Sequence, residues 1–318
     1  MGKVWQYRDE KCTRLKMQWA DLNQLDSLIL ETAALGASIE QIGVSGEGRS
    51  LYGVTVGEEQ AKYTVVILAG CHATEIVGSL AAVAILRSIV QTPISSVRFG
   101  LVPVADPDCL YRNAATVSSR FTLQDALNLS HQRDLEGNFM AATYPECVAI
   151  RQWFQKFSKI DAYFSLHAAA PIAPGLFFYV GEPSDPPLVQ QVMRDMAAIV
   201  PADIPLLKHD PTGVAQQVLA PGFFELGLPK VEPNHASPGS SLAFVADRFQ
   251  PQFLAVSEIP FAVCPDLMNA SLDEIHQVNM AVKHTGNTSQ PLYEISLETQ
   301  LHLLQSLVRS TVTQLMNS

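Results

Sequence analysis

The stretch YTVVILAGCHATEI, residues 63–76, decides how this chain is read. Its first six residues are aromatic, β-branched or aliphatic with no polar alternation, the pattern of a strand buried on both faces. Gly70 breaks the run, and the chain then delivers His72 and Glu75 before an apolar, helix-like stretch. An imidazole and a carboxylate three residues apart, just past a buried strand, place two zinc-ligand types at the rim of a sheet. Alone, HxxE is equally the signature of a strand-end histidine bonded to backbone. Its meaning depends on what ends the other strands.

Outward from this junction, strand and helix patterns alternate. Residues 20–36 read as an amphipathic helix, with Leu22, Leu25, Leu28 and Leu30 on or near one face. The run 39–57 reads as two short strands around the Gly-rich turn GVSGEG, a hairpin. Strands are expected at 63–68, 97–104, 162–166, 176–180 and 253–259, and helices at 76–90, 145–157, 187–199 and 241–249. The tail 292–317, with Leu301, Leu303, Leu304 and Leu307, closes as a long amphipathic helix. The Pro-rich segments 171–187 and 201–238 read as surface loops within one domain. The expected fold class is α/β: a single domain with a mixed, mostly parallel, twisted sheet and helices on both faces. Residues 1–38 are expected as a helical segment packed on the domain, and 39–318 as the catalytic domain.

Composition narrows the function. The chain of 318 residues is 47% hydrophobic and 16% charged, enough to bury a substantial core. A formal net charge of -10 argues against a nucleic-acid surface. The five cysteines form no CxxC pair, so reduced thiols are expected. Cys71, beside His72, is read as a packing residue facing the other way. The polar N-terminus lacks an apolar signal region, and no apolar run reaches spanning length. The expectation is a cytoplasmic protein without a membrane or nucleic-acid partner. GVSGEG is not a serine-hydrolase elbow, because Glu47 and the hairpin pattern do not fit one, and GEGR lacks the Lys-Ser/Thr of a phosphate loop.

A third ligand is sought among His131, His167, His209, His235, His276, His284 and His302. His167 stands out because it ends the apolar run in DAYFSLHAAA and is followed by small residues that leave room for a metal and a substrate. Glu258, in FLAVSEIPF, also emerges from an apolar strand, where burial raises a carboxyl pKa toward the range useful in acid–base work. Glu225, in GFFELG, is its rival.

This ordered set resembles the zinc carboxypeptidases related to carboxypeptidase A, over residues of about 39 to 262. The family's HxxE is matched by His72 and Glu75. Its P-x-x-N-P-D-G segment is matched by PVADPDC, with Asp106 in place of Asn and Cys109 in place of Gly. Arg112 falls where the family places an oxyanion-stabilising arginine. Asp161, Ser165, Leu166 and His167 match the strand of the third ligand, and Glu258 matches the catalytic glutamate. The resemblance implies one Zn2+ per chain held by His72, Glu75 and His167, with zinc-activated water and Glu258 as general base.

Two departures are visible. The family's Asn-Arg pair, which grips a substrate's terminal carboxylate, corresponds to DALNLSHQRD; with Asn128 in the Asn position, Leu129 replaces the Arg, and Arg133 is the nearest cation. The family's mobile tyrosine has no counterpart in SSLAFVADRF, where Phe244 stands in the region. The resemblance implies a hydrolase of amide bonds acting on a small peptide or an N-acyl amino acid, with Asn113, Asn128 and Arg133 as substrate contacts. The alternatives are an N-acyl amino acid deacylase, like the succinylglutamate desuccinylase and aspartoacylase relatives, and a murein-peptide amidase. A non-catalytic binder of peptide termini is a further reading.

Overall fold

Apolar runs without alternation become the central strands, and the stretches between them that repeat at helical spacing pack on both faces. The computed structural model describes residues 17–117, 120–182, 185–228 and 239–318. The chain enters through a 3-10 turn, Trp19–Gln24, helix α1, Leu25–Glu31, and a second 3-10 turn, Thr32–Leu35. The hairpin β1, Ser38–Val44, and β2, Ser50–Val56, precedes β3, Tyr63–Ala69, and the long helix α2, Ile76–Gln91. Then come β4, Val97–Val102, and three helices: α3, Pro107–Ala114, α4, Leu123–Asn128, and α5, Pro145–Phe154. Strands β5, Ala162–His167, β6, Ile172–Ala173, and β7, Phe177–Gly181, lead to α6, Pro186–Ile199. The chain continues through β8, Ala215–Ala220, β9, Phe223–Leu226, α7, Ser241–Phe249, and β10, Phe253–Glu258. It closes with β11, Ala262–Val263, α8, Leu272–Thr285, β12, Tyr293–Glu294, and α9, Leu297–Asn317.

The main sheet has nine strands in the order β1-β2-β4-β3-β5-β10-β7-β9-β8. Its centre, β4-β3-β5-β10, is parallel throughout, while β2, β7 and the β8–β9 pair introduce antiparallel neighbours. Parallel strands need crossovers, and α2 supplies the one between β3 and β4. One face of the sheet is covered by the entry helix, α2, α6 and α9, with Leu80, Leu86, Leu304 and Val308 fully buried. The other carries α5 and α7, with Trp153, Phe154 and Leu242. Each large aliphatic side chain buried there contributes about 1.5–3 kcal/mol.

Two glycines bring α2 onto the site. Gly70, at φ 77°, takes the left-handed conformation that ends β3. Gly78, in the first turn of α2, is so close to β5 that a Cβ would stand 2.3 Å from the Leu166 carbonyl oxygen.

Five elements depart from the sequence reading. The 201–238 segment holds β8 and β9 rather than loop alone. Only four residues long, β9 is too short for a periodic signal, and edge strand β8 carries the polar pair Gln216 and Gln217. Helix α8 lies outside the elements expected from the sequence, although Ser271 and Glu274 form a capping box at its start. The short helices α3 and α4 lie outside them as well. The N-terminal helical segment is described only from residue 17, and Leu22, Leu25 and Ile29 of it are buried in the core. Among the described residues, no helix is long and apolar enough to cross a membrane. Cys71, Cys109, Cys147 and Cys264 are free and buried.

Candidate metal centre

β3 and β5 are adjacent and parallel, with Ala69 opposite Leu166, so the residues that follow them reach the same rim. On the far side of β5, Glu258 of β10 lies in register with His167. Three segments distant in sequence thus bring His72, Glu75, His167 and Glu258 together.

Glu75 stands between the two imidazoles. His72 Nδ1 is 2.8 Å from Glu75 Oε1, and His167 Nδ1 is 2.7 Å from Oε2. One donor atom from each of the three residues lies within 4.8 Å of the others. The outer nitrogens are also engaged. His72 Nε2 is 3.0 Å from Asp134 Oδ1, while His167 Nε2 is 2.9 Å from Ser165 Oγ and 3.6 Å from Glu136 Oε2. Metal binding through both Nδ1 atoms requires the tautomer with hydrogens on Nε2, and Asp134, Ser165 and Glu136 stand where those hydrogens would be accepted. Ser257 Oγ donates to the His167 carbonyl and accepts from its N–H, fixing the strand end.

The field favours positive charge here. Burial opposes ionisation of Glu75, but His167 and His72 hold its carboxyl down to about 2. Burial likewise opposes protonation of His167, yet Glu75 and Glu136 raise its pKa well above the ordinary range. Glu136 is itself held down to about 2 against burial by His167 and Ser241. Carboxylates that stabilise positive charge at the half-buried His72 and the buried His167 suit a divalent metal once the imidazoles give up their protons. Glu258 responds in the opposite sense: burial first, then the Glu75 charge, push it up to about 8.

Asp134, Glu136, Ser165 and Ser257 complete the surroundings, and three of them had gained no role from the sequence. Asp134 and Glu136 belong to a non-helical segment whose side chains alternate. Gln132 accepts from Thr74, Asp134 meets His72, and Glu136 accepts from Ser241, while Leu135 is buried in the opposite core. The alternation of Gln132, Asp134 and Glu136 around Arg133 and Leu135 was the available signal.

Arg133 is engaged by a separate group of acids. Its guanidinium donates to both oxygens of Asp106 and, at 2.9 Å, to Glu146 Oε1, with Asp108 3.6 Å away. All three carboxylates are buried. Asp108 also accepts from Ser45 Oγ and the Glu47 N–H, which ties the hairpin turn to the same cluster. Arg112 is exposed near the end of α3 and pairs with Glu47. Asn113 is buried, donating to the carbonyls of Ala73 and His131 and accepting from the His131 N–H, so it braces the loop between Gly70 and α2. Asn128 is exposed at the end of α4. Glu225, on β9, bonds Gln217 and is separated from β10 by β7. Phe244 packs in the core against Phe139 and Phe249. His235 lies outside the described residues.

Comparison with known proteins bears on this geometry. Residues 36–217 match the model of the zinc carboxypeptidase family. Among solved structures, a metallo-carboxypeptidase from Burkholderia cenocepacia is 16% identical, with a TM-score of 0.55 over 92% of this chain and 68% of its own. Bovine thrombin-activatable fibrinolysis inhibitor, in complex with tick carboxypeptidase inhibitor, is 14% identical, with a TM-score of 0.55 over 93% of this chain and 97% of its own. Carboxypeptidase A from Helicoverpa armigera is 12% identical, with a TM-score of 0.54 over 92% of this chain and 70% of its own. Among curated proteins nothing matches significantly.

Proposed function

The chain belongs to the zinc carboxypeptidase family, and from that premise we propose that it hydrolyses an amide bond with one zinc ion held by His72, Glu75 and His167. The observation that carries the reading is the convergence of two Nδ1 atoms on one carboxylate, with Glu258 in register beside them. The donor set fits zinc: two neutral imidazoles and a carboxylate, each steadied by an outer partner. Bound there, zinc would supply the Lewis acidity that activates water and polarises the scissile carbonyl.

The remaining work falls to side chains of this chain. Glu258 accepts a proton from the attacking water and returns it to the leaving nitrogen. Burial raises the Glu258 carboxyl toward the range in which one group both accepts and returns a proton. Asp134 and Glu136 keep the imidazoles oriented. Arg112 would reach a developing oxyanion only by leaving Glu47.

The substrate we propose is a small peptide or an N-acyl amino acid. The second of these is favoured by Arg133, whose donors are turned to Asp106 and Glu146 rather than offered to a substrate carboxylate. The direct test is Glu258→Gln. It should retain stoichiometric zinc and lose hydrolysis by at least about 10²-fold. Full activity in that variant would overturn the mechanism. Zinc quantification with a panel of C-terminal peptides, N-acyl amino acids and murein peptides identifies the substrate.

A further inference from the structure

Side chains alternate along β5, so Phe164 and Leu166 enter one half of the core while Tyr163, Ser165 and His167 share the opposite face. All three polar side chains are at most 3% exposed, so each must find its partners inside the protein. Two segments remote in sequence supply them: Glu136, and Ser241 at the start of α7. Glu136 Oε2 accepts from Ser165 Oγ at 3.2 Å, and Oε1 accepts from the Ser241 N–H and hydroxyl at 2.8 Å and 2.7 Å. Behind Ser241, the Tyr163 hydroxyl donates to Ser241 Oγ at 2.7 Å. In front of Ser165, His167 Nε2 stands 2.9 Å from Ser165 Oγ.

The direction of every bond follows from Glu136. A carboxylate only accepts, so the single hydroxyl hydrogens of Ser165 and Ser241 both point to it. Ser165 Oγ is left to accept, which assigns a hydrogen to His167 Nε2. Ser241 Oγ is likewise left to accept, and only the Tyr163 hydroxyl meets it there. One anion thus orders a row of hydrogens that starts at a buried phenol and ends at the imidazole of a metal ligand. Bonds in such a row polarise one another, and each holds its neighbour's rotor in place.

We propose that Tyr163 and Ser241 are positioning residues of the metal centre: through Glu136 and Ser165 they hold the His167 ring with its hydrogen on Nε2 and leave Nδ1 to the ion. The inference rests on the metal reading above and extends it, beyond the carboxylate, to a phenol and to the first turn of α7. Both residues sit where a purely apolar core would serve packing as well, and the hydroxyls are what that packing does not require.

The test measures zinc affinity of the full-length protein by competition with a chromophoric chelator. Tyr163→Phe removes one oxygen and keeps the ring, while Ser241→Ala removes the hydroxyl and keeps the N–H. Each should weaken zinc binding by about 10-fold, and Glu136→Gln, which brings hydrogens where Ser165 and Ser241 need an acceptor, by about 100-fold. Adding Tyr163→Phe to Glu136→Gln should cause little further loss, because the phenol acts through the carboxylate. The visible absorption of the cobalt-loaded protein, which reports ligand geometry, should shift in Tyr163→Phe. Phe164→Leu, on the other face of β5, controls for lost stability and should leave zinc affinity and the cobalt spectrum unchanged. Wild-type zinc affinity in both Tyr163→Phe and Ser241→Ala would overturn the inference and leave the metal site standing. An equal loss in Phe164→Leu would reduce the effect to general loosening of β5 and overturn it too. A wild-type protein that binds no zinc would overturn the metal reading and this inference with it.

Discussion

Arg133 shows how one charge sets the role of its neighbour. The Asp106 carboxylate accepts from the Arg133 guanidinium at both of its oxygens. Glu146 and Asp108 extend the cluster, and one Glu146 oxygen is buried without a hydrogen-bond partner. Removing the cation would leave the buried Asp106 and Glu146 carboxylates without a cation, while Asp108 keeps Arg49 at 3.7 Å, and a broken buried pair of this kind costs about 3–5 kcal/mol. Arg133→Met should therefore lower stability by that amount in urea denaturation. A variant of native stability whose KM alone rises for substrates with a free carboxylate would show that Arg133 grips substrate instead. The principal polar residues of the site were legible because each comes at the end of an apolar run: His167 and Glu258 end otherwise apolar, buried strands, and His72 follows another. Asp134 and Glu136 were not, because they sit in a segment of no regular structure. Their roles exist only once that segment lies across the rim.

At the scale of elements, the contact between α2 and β5 sets the spacing of the site. Gly78 lets the helix touch the Leu166 carbonyl, one residue before His167. Gly78→Ala forces the two apart, and overpacking of this kind costs about 1–3 kcal/mol. The expected result is weaker zinc binding, measured by competition with a chromophoric chelator, along with the stability loss. Unchanged zinc affinity would show that the helix position does not govern the ligands. On the same face, Asp195 of α6 accepts from Ser310 and Gln314 of α9 at 2.6 Å and 3.0 Å. Burial alone would raise its pKa, but hydrogen bonds from Ser310, Gln191 and Gln314 outweigh that and hold the carboxyl below its usual range. A depressed pKa contributes stability that is present above the unfolded value of about 3.9 and lost as pH falls through the folded one. Asp195→Ala should cost about 1 kcal/mol at pH 6, and the difference should shrink on acidification. A difference that grows at low pH would contradict this. Helix α9 was readable because many buried positions repeat its period, and α2, buried on every side from Ile76 to Leu86, because its apolar run is too long for a strand. By contrast, β9, α3 and α4 are too short for a period to show, and their places are set by the elements they pack against.

In the whole molecule, the proposed metal would join parts that the chain order keeps separate. His72 and Glu75 follow β3, and His167 ends β5, so an ion held by all three would bind only where those two strands have paired. A ligand bound by the native state alone adds about 4 kcal/mol at a thousand times its dissociation constant. Removing zinc with a chelator should lower Tm by about 5 °C or more in scanning calorimetry, reversed by adding zinc back. An unchanged Tm would mean that no ion is held there in solution. The strand order has a consequence for synthesis as well. A growing chain that has emerged only through α2 offers an ion two ligands. One that has emerged through β5 offers three, but still lacks Glu258 at the end of β10. An ion captured during translation would therefore be held before the residue that makes the site reactive exists, so the nascent protein passes through a metal-bound stage that cannot hydrolyse the chains around it.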